Sequence, residues 1–365
     1  MAHPLSGADL GTLRRVFADG GRPDRWGTAA AIWGAALGRL PFTLAERALI
    51  GPRLPRVEDM APPVFILGHW RSGTTHLYNL MSLGAWGYVP PVAVGLPHDM
   101  FGLARLLRPL LERQLPATRY IDNIPVTPTS PQEDEIAIAN MSPLSFYHGI
   151  YFPRAFDRMI DRGLFFDGCS PAEIEEWAGT FTYFMRKLAR DQGRPLLIKN
   201  PVYTARPAML RRLFPGAKFI HIHRNPHEVF LSMRNFYRRL LSVMALQDIP
   251  PEIDIDATIL RVYDRMMRVF VAETEGWEAP EFVEIPYARL DVDPMGVLAE
   301  VHETLDLPGF ELLAPRARSY LAGIEGYEKN SFRGDAAAIE TVEHALAPWL
   351  ARWGYTRPPL PGRAA

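Results

Sequence analysis

The chain has 365 residues, of which 48% are hydrophobic and 22% are charged, and its formal net charge is −1. This composition is typical of a folded globular protein and excludes a chain that is disordered throughout. A net charge so near zero also excludes binding of nucleic acid by a basic surface as a whole, so any anion must be held by a local group of cations. The single cysteine, Cys169, excludes an internal disulfide and a site built from several thiolates.

The sequence predicts a cytoplasmic protein, because no basic and apolar signal pattern stands at its start. No uncharged apolar run reaches the roughly 18 residues of a membrane span, so stable membrane insertion is not expected. One Ala-rich apolar segment, 26–40, has basic residues around it. Two interpretations of it stay open: a buried helix, which we favour, and a helix that contacts a membrane interface.

In chain order, residues 8–50 predict two or three helices, and the apolar run 64–67 predicts a buried strand followed by a helix at 74–81. Two more apolar runs, 195–199 and 218–222, predict strands joined by a crossover helix at 204–214. A strand, a helix and a strand in succession indicate a parallel sheet and the α/β class. The remaining predicted elements are a strand at 282–285 and helices at 99–113, 171–190, 254–275 and 337–352.

A proline-rich stretch at 115–131 predicts a long irregular segment. Loops of this size over an α/β core more often carry function than not. We expect one domain over 1–365, with a helical extension at 1–60 packed on it.

The residues after the first predicted strand, at 68–75, are Gly-His-Trp-Arg-Ser-Gly-Thr-Thr. Glycine lets backbone approach an anion, and the amides at a helix start supply positive potential, so this turn predicts a phosphate site. The two glycines have the spacing of a nucleotide P-loop, but Thr74 stands where an ATP or GTP enzyme carries lysine. The cation of this loop is Arg71, which lies inside it.

A second phosphate site is predicted after the strand at 218–222, where Arg224 stands at the carboxyl end that binds ligands in open α/β sheets. Pro226 suits the first turn of the next helix. Ser232 lies two helical turns along that helix, within reach of the same pocket. An arginine guanidinium together with a hydroxyl binds phosphate and needs only local positive charge. The strand ends in His223 and Arg224, without the aspartate that holds magnesium in P-loop ATPases.

The loop with Arg71 and the pair Arg224 and Ser232 resemble the two nucleotide motifs of sulfotransferases that use 3'-phosphoadenosine 5'-phosphosulfate (PAPS). The resemblance covers about residues 60–335 and is most similar to a bacterial branch related to the tyrosylprotein sulfotransferases. It implies an α/β, three-layer P-loop sulfotransferase-like fold with a central parallel sheet flanked by helices. It also implies transfer of a sulfuryl group from PAPS to a hydroxyl, less often an amine, of a small-molecule or lipid-like acceptor. PAP is then the product, and no metal is needed.

The resemblance further implies roles for individual residues. The 5'-phosphate would be bound by Arg71, Ser72, Gly73, Thr74 and Thr75, and Arg71 would also contact the transferring sulfuryl group. The 3'-phosphate would be bound by Arg224 and Ser232, with Lys329 and Ser331 closing over it, and Tyr287 would flank the adenine.

The catalytic base is not the residue that many relatives use, a histidine two positions after the equivalent of Lys199, because this sequence has Pro201 there. Lys199 is predicted as a second cation near the acceptor. We predict a carboxylate base, with Glu133 ahead of Asp134 and Glu135, and keep His69 as a further candidate. A carboxylate is a better base where burial raises its pKa.

Two other functions stay open at this stage: a metal-dependent P-loop kinase or NTPase, and a protein that binds PAP without catalysis. The acceptor is not determined by the sequence, and a homodimer also stays open.

Overall fold

The computed structural model describes residues 2–109, 127–324 and 336–358. The chain forms two compact units. The helical unit comprises Met1–Pro62, Gly87–Ile198 and Arg238–Ile253, and the sheet unit comprises Pro63–Trp86, Lys199–Tyr237 and Asp254–Ala365. The expectation of one domain with an N-terminal extension stays a prediction. Within the described residues, every helix is too short or too polar to cross a membrane.

Two helices of the helical unit, those that start at Leu10 and Pro171, begin at side-chain caps. Oδ1 of Asp9 accepts a hydrogen bond from the amide of Thr12 at 2.7 Å, and Ser170 and Glu173 form a reciprocal capping box. Its helices are α1 (Leu10–Gly20), α2 (Trp26–Leu49), α4 (Pro91–Gly95), α5 (Leu103–Leu106), α6 (Glu135–Met141), α7 (Tyr147–Tyr151), α8 (Phe156–Phe165) and α9 (Pro171–Gln192).

The sheet unit surrounds a parallel sheet with the strand order β2-β1-β3-β4. The strands are β1 (Val64–Leu67), β2 (Leu197–Lys199, which ends where the sheet unit resumes), β3 (Lys218–His223) and β4 (Phe282–Pro286). Its helices are α3 (Thr74–Met81), α10 (Pro207–Leu213), α11 (Pro226–Met244, which continues into the helical unit), α12 (Ile255–Glu273), α13 (Tyr287–Val292), α14 (Pro294–Thr304), α15 (Phe310–Gly323), α16 (Ala336–Ala345) and α17 (Ala347–Arg352).

The sheet brings the ends of its strands to one edge. β1 is buried along its whole length, as is usual for a strand covered on both faces, and it pairs in parallel with β3. β3 pairs in parallel with β4, with His223 opposite Pro286 at their carboxyl ends. Residues that follow parallel strands therefore lie at the same edge.

The predicted α/β class and parallel sheet are confirmed, and the predicted strand at 64–67 has the observed bounds. The predicted crossover helix at 204–214 is wrong at its start. A 3-10 turn, Pro201–Ala205, comes first, and α10 begins only at Pro207. Arg206 adopts φ −156°, because a residue before proline disfavours the helical region. The helix predicted at 99–113 starts later, at Leu103, and within the described residues it is interrupted: α5 (Leu103–Leu106) is followed by a turn at Leu107 and by helical residues at 108–109.

Segment 26–40 lies in α2, and the favoured interpretation of it as a buried helix is wrong for one face. Trp26 and Leu37 are 60% and 62% exposed, whereas Ile32 is buried. The described part of the proline-rich stretch, from residue 127 onward, is irregular up to α6.

Candidate active site

The loop between β1 and α3 depends on its two glycines. Gly68 has φ +141°, and a Cβ there would lie 2.3 Å from the carbonyl oxygen of Ile222. Gly73 has φ +94°, and a Cβ there would lie 2.2 Å from a ring carbon of Tyr287. Both positions combine a left-handed backbone with no room for a side chain, so only glycine fits. Arg71, with φ 69°, adopts the same unusual region without being glycine.

The start of α3 presents backbone amides to this loop. Gly73 is its N-cap residue and makes no side-chain capping hydrogen bond. The first amides of any helix lack acceptors within the helix, and they favour an anion. Ser72 and Thr74 are buried beside them.

Arg71 and Ser232 are joined directly, although 161 positions separate them in the sequence. Nε of Arg71 donates a hydrogen bond to Oγ of Ser232 at 2.7 Å. Nη1 of Arg224 donates to the carbonyl oxygen of Arg71 at 3.4 Å. The structure therefore brings the two predicted phosphate motifs together.

Arg224 is held in place by two further groups. It pairs with Glu228, one helical turn along α11, and its guanidinium carbon lies 4.6 Å from the centroid of the Tyr287 ring. Such a cation over an aromatic face is stabilising. Burial raises the pKa of Tyr287 to about 12, so its hydroxyl stays neutral at ordinary pH. Tyr287 thus contacts both the glycine loop and Arg224.

Lys199 reaches the same helix start from β2. Its side chain is buried, and Nζ donates to Oγ1 of Thr75 at 3.3 Å. The backbone of the loop is tied to the turn after β2 as well, since the amide of Gly68 donates to Oγ1 of Thr204 at 2.8 Å. Each of the four strands therefore contributes a predicted site residue at or just after its carboxyl end.

These loops belong to a chain that matches a family model described as "Sulfotransferase family" over residues 62–311. The chain belongs to the sulfotransferase family. It is 30% identical over 325 residues to Omega-hydroxy-beta-dihydromenaquinone-9 sulfotransferase Stf3 of Mycobacterium bovis, which covers 88% of this chain and 82% of that protein. The same figures hold for Stf3 of Mycobacterium tuberculosis.

Solved sulfotransferases share the fold of this sulfotransferase. The crystal structure of STF9 from Mycobacterium avium aligns with a TM-score of 0.68 at 18% identity, covering 98% of each chain. That of STF1 from Mycobacterium tuberculosis aligns with a TM-score of 0.63 at 17% identity, covering 93% of this chain and 91% of the other. The chain is therefore a sulfotransferase both in family and in fold, as the resemblance implied.

The candidate bases of the sulfotransferase differ in their surroundings. Glu135 is buried, and its Oε1 accepts hydrogen bonds from Oγ of Ser145 at 2.6 Å and from the amide of Phe146 at 3.1 Å. These contacts assign its carboxylate to holding the turn before α7. Asp134 is buried at the N-cap position of α6, and Glu133 is partly exposed. All three lie in the helical unit, and a role for Glu133 stays a prediction.

His69 is a poor candidate for the base. Burial lowers its pKa to about 4, and its ring packs 4.8 Å from that of Tyr263. Nδ1 lies 3.0 Å from the carbonyl oxygen of Trp70, which fixes that nitrogen as the protonated donor. A group so buried and so weakly basic suits packing of the loop better than proton transfer.

Two residues predicted to close over the 3'-phosphate, Lys329 and Ser331, lie outside the described residues. No cluster of three or more His, Cys, Asp or Glu side chains suited to a metal occurs within 2–109, 127–324 and 336–358.

Sequence reasoning missed residues that support Arg224 from a distant part of the chain. The hydroxyl of Tyr355 lies 2.8 Å from Nδ1 of His223 and 3.2 Å from the carbonyl oxygen of the same residue. Nδ2 of Asn225 donates to the carbonyl oxygen of Thr356 at 3.0 Å. No local pattern signals these contacts, whereas Glu228, four residues after Arg224, could have been found from helical spacing.

Proposed function

We propose that this sulfotransferase uses PAPS as its donor and transfers the sulfuryl group to a hydroxyl of a lipid-like or other small-molecule acceptor. The observation that carries the proposal is the meeting of Arg71, Ser232 and Arg224 through hydrogen bonds of 2.7 and 3.4 Å. Two arginines that follow separate strands, together with a hydroxyl from α11, suit a ligand with two anionic ends.

The residues present fit PAPS. The amides at the start of α3, with Ser72, Gly73, Thr74 and Thr75, would hold the 5'-phosphate, since Gly73 leaves the helix start without a side-chain cap. Arg224 and Ser232 would hold the 3'-phosphate. The Tyr287 ring, already stacked under a guanidinium, would flank the adenine.

PAPS supplies the sulfuryl group that becomes bonded to the acceptor oxygen, and PAP leaves with the electron pair of the broken sulfur–oxygen bond. Arg71 would stabilise the negative charge that develops on the leaving phosphate and on the sulfuryl oxygens. Lys199, whose Nζ contacts Thr75, would add a second positive charge near the acceptor. Glu133 would accept the proton of the acceptor hydroxyl.

The lipid-like acceptor is proposed from relatives. Stf3, 30% identical to this chain, is named for an ω-hydroxylated dihydromenaquinone. A hydroxyl on a largely apolar molecule is therefore the acceptor class to test first. We also propose, as the sequence led us to expect, a cytoplasmic enzyme whose residues 1–365 act as one domain, with Lys329 and Ser331 closing over the 3'-phosphate.

The proposal is tested by calorimetry with PAP on the Arg224→Ala variant. Loss of one charged hydrogen-bonding partner should weaken PAP binding by about tenfold to a hundredfold, or roughly 1.5–3 kcal/mol. Arg318→Ala, which removes an exposed arginine of α15, is the matched control and should bind PAP normally.

Unchanged PAP affinity in Arg224→Ala would remove the second phosphate site from the proposal. Binding of ATP only with magnesium, and none of PAP, would instead support a kinase or NTPase. Turnover with an ω-hydroxylated quinone, followed as a mass gain of one sulfate, tests the acceptor class separately.

A further inference from the structure

The helix α2 is oriented with its polar side chains inward. Arg39, Thr43 and Glu46 are buried, although a helix at the surface of a protein ordinarily presents such residues to water. Its exposed side is apolar. With the exception of Arg47, the exposed residues of α2 are Trp26, Gly27, Ala30, Ala31, Gly34, Leu37, Gly38, Pro41, Phe42, Leu44, Ala45, Ala48 and Leu49. We call this side the α2 apolar face.

Buried ion pairs fix the rotation of α2. Arg39 pairs with Asp99 and donates from Nη2 to the carbonyl oxygen of Ala8 at 2.6 Å. Oγ1 of Thr43 donates to Oδ1 of the same Asp99 at 2.7 Å. Glu46 pairs with Lys187 at 2.6 Å. Turning the helix would leave these charges buried and unpaired, which is costly, so the apolar face is held outward.

The loop after Asp99 is fastened to α2 by the second carboxylate oxygen of Glu46. Its Oε2 accepts hydrogen bonds from the amides of Phe101 at 2.8 Å and Gly102 at 3.0 Å. Leu106, a few residues further on, is 71% exposed. A large exposed apolar side chain therefore also lies on the short helix that follows this loop.

Exposed apolar residues also belong to the segment around Leu246, which is hydrogen-bonded to the residues just before α2. The carbonyl oxygen of Leu246 accepts hydrogen bonds from the amides of Asp24 at 2.9 Å and Arg25 at 3.1 Å. Val243 and Ile249, each within three residues of Leu246, are exposed. Five large apolar side chains of α2 itself are 43% to 62% exposed: Trp26, Leu37, Phe42, Leu44 and Leu49. Isolated exposed apolar residues are ordinary, but a contiguous set of this size marks an interaction surface.

Exposed arginines flank the α2 apolar face at both ends, next to exposed acidic residues. The acidic residue of the helix itself, Glu46, is buried. Among the exposed groups at its ends, Asp24 pairs with Arg154 and Arg47 pairs with Asp9. The remaining exposed cations are Arg22 and Arg25 before the helix and Arg53 and Arg56 after it, and exposed acidic residues stand in the neighbouring stretches: Asp248, Glu252, Glu58 and Asp59.

We propose that the α2 apolar face docks on a lipid bilayer that contains anionic lipid, with the helix lying in the plane of the interface. Tryptophan, phenylalanine and leucine on one side of a helix, with arginines at its ends, are the features of helices that enter this region. The arginines contact lipid phosphates, and the apolar side chains enter the boundary of the acyl chains. A bilayer also holds acceptors of the lipid-like class, and this link alone rests on the proposed function.

The test is co-sedimentation of the full chain with vesicles of phosphatidylcholine alone or mixed with phosphatidylglycerol. We expect binding to the mixed vesicles that weakens as salt is raised. The double variant Leu37→Glu and Leu44→Glu should lose about tenfold or more of this binding, because two charges enter the apolar region.

The matched control is Val292→Glu with Leu312→Glu, which adds the same charge at two exposed apolar positions of the sheet unit. It should bind vesicles as the wild type does.

The variant Arg22→Ala with Arg25→Ala should lose binding to mixed vesicles but keep the melting temperature. Circular dichroism and PAP affinity report separately whether each variant is folded, so failure of the proposed donor would not be mistaken for failure of docking.

Three results would overturn docking. The first is that the wild type binds neither kind of vesicle. The second is that the double variant of α2 and the control double variant of the sheet unit lose vesicle binding equally. The third is a wild-type dimer, seen by light scattering, that becomes a monomer in the Leu37→Glu and Leu44→Glu variant without any vesicle binding. That result would assign the α2 apolar face to contact between two copies of the chain.

Discussion

Arg71 links the two predicted phosphate motifs by hydrogen bonds. Its side chain bonds Ser232, and its carbonyl oxygen bonds Arg224. Its positive φ turns the backbone so that both contacts are made by one residue. We therefore expect an anion bound at either predicted motif to affect the position of the other. At the scale of single residues, the site depends as much on backbone conformation as on charge.

Gly73 gives the sharpest test of that dependence. In Gly73→Ala, the added Cβ would lie 2.2 Å from the Tyr287 ring at φ +94°. We expect the loop to shift and PAP binding to weaken by about tenfold, in line with roughly 1–3 kcal/mol of backbone strain. Gly323→Ala, where nothing lies within 4 Å of the new Cβ, is the control for calorimetry. Equal PAP affinity in both variants would contradict the role given to this glycine.

Glu133 carries the proposed proton transfer. In Glu133→Gln, we expect near-normal PAP binding and a fall in turnover of about 10²-fold, because the amide cannot accept the proton. Steady-state kinetics together with PAP calorimetry separate these effects. Glu58→Gln, which changes an exposed carboxylate of the same unit, should leave turnover unaltered. Full activity of Glu133→Gln would move the role of base to another residue.

At the scale of elements, the strands were predictable because each is a short apolar run bounded by turn residues. β1 matches its prediction at both ends, and β3 exceeds its own by one residue, His223. The position of the glycine loop was predictable for the same reason, since glycine and arginine follow such a run; its role in binding phosphate stays a prediction. The start of α10 was missed because the conformation of Arg206 is set by Pro207, not by the apolar spacing that follows.

Other features could not be predicted because distant residues create them. The polar residues of α2 point inward because Asp99 and Lys187 lie there and form ion pairs with Arg39 and Glu46. Nothing in the periodicity of residues 26–49 contains that information. Likewise, Tyr355 supports His223 across 132 positions of sequence.

The segment after α17 acts, in our interpretation, as a support for the end of β3. Tyr355→Phe removes the hydroxyl next to His223, and His223 immediately precedes Arg224. We expect PAP affinity to fall by about two- to tenfold, as for loss of one hydrogen bond, while turnover at saturating donor changes little. The control is Tyr320→Phe, which removes a hydroxyl that lies 3.5 Å from Nδ2 of Asn79 and should leave PAP affinity unchanged. A fall in turnover alone, with normal affinity, would exclude a positioning role for Tyr355.

At the scale of the whole molecule, buried histidines link folding to pH. Burial lowers the pKa of His69 to about 4 and also lowers the pKa of His98 and His148, which all stay neutral when folded at neutral pH. An unfolded chain titrates its histidines near pH 6.5, so between about pH 6.5 and pH 4 it binds a proton at His69 that the folded chain does not bind.

The stability that these neutral histidines contribute is therefore complete above about pH 6.5 and is lost as the pH falls. His69 should remove about 1.4 kcal/mol of the free energy of unfolding per pH unit in that window, and His98 and His148 act in the same direction. Thermal melts should show a midpoint that falls steadily from about pH 7 to pH 5. His69→Asn, which keeps a donor near the Trp70 carbonyl but does not titrate, should show a smaller fall. A melting temperature independent of pH over this window would mean that these side chains are protonated in the folded protein.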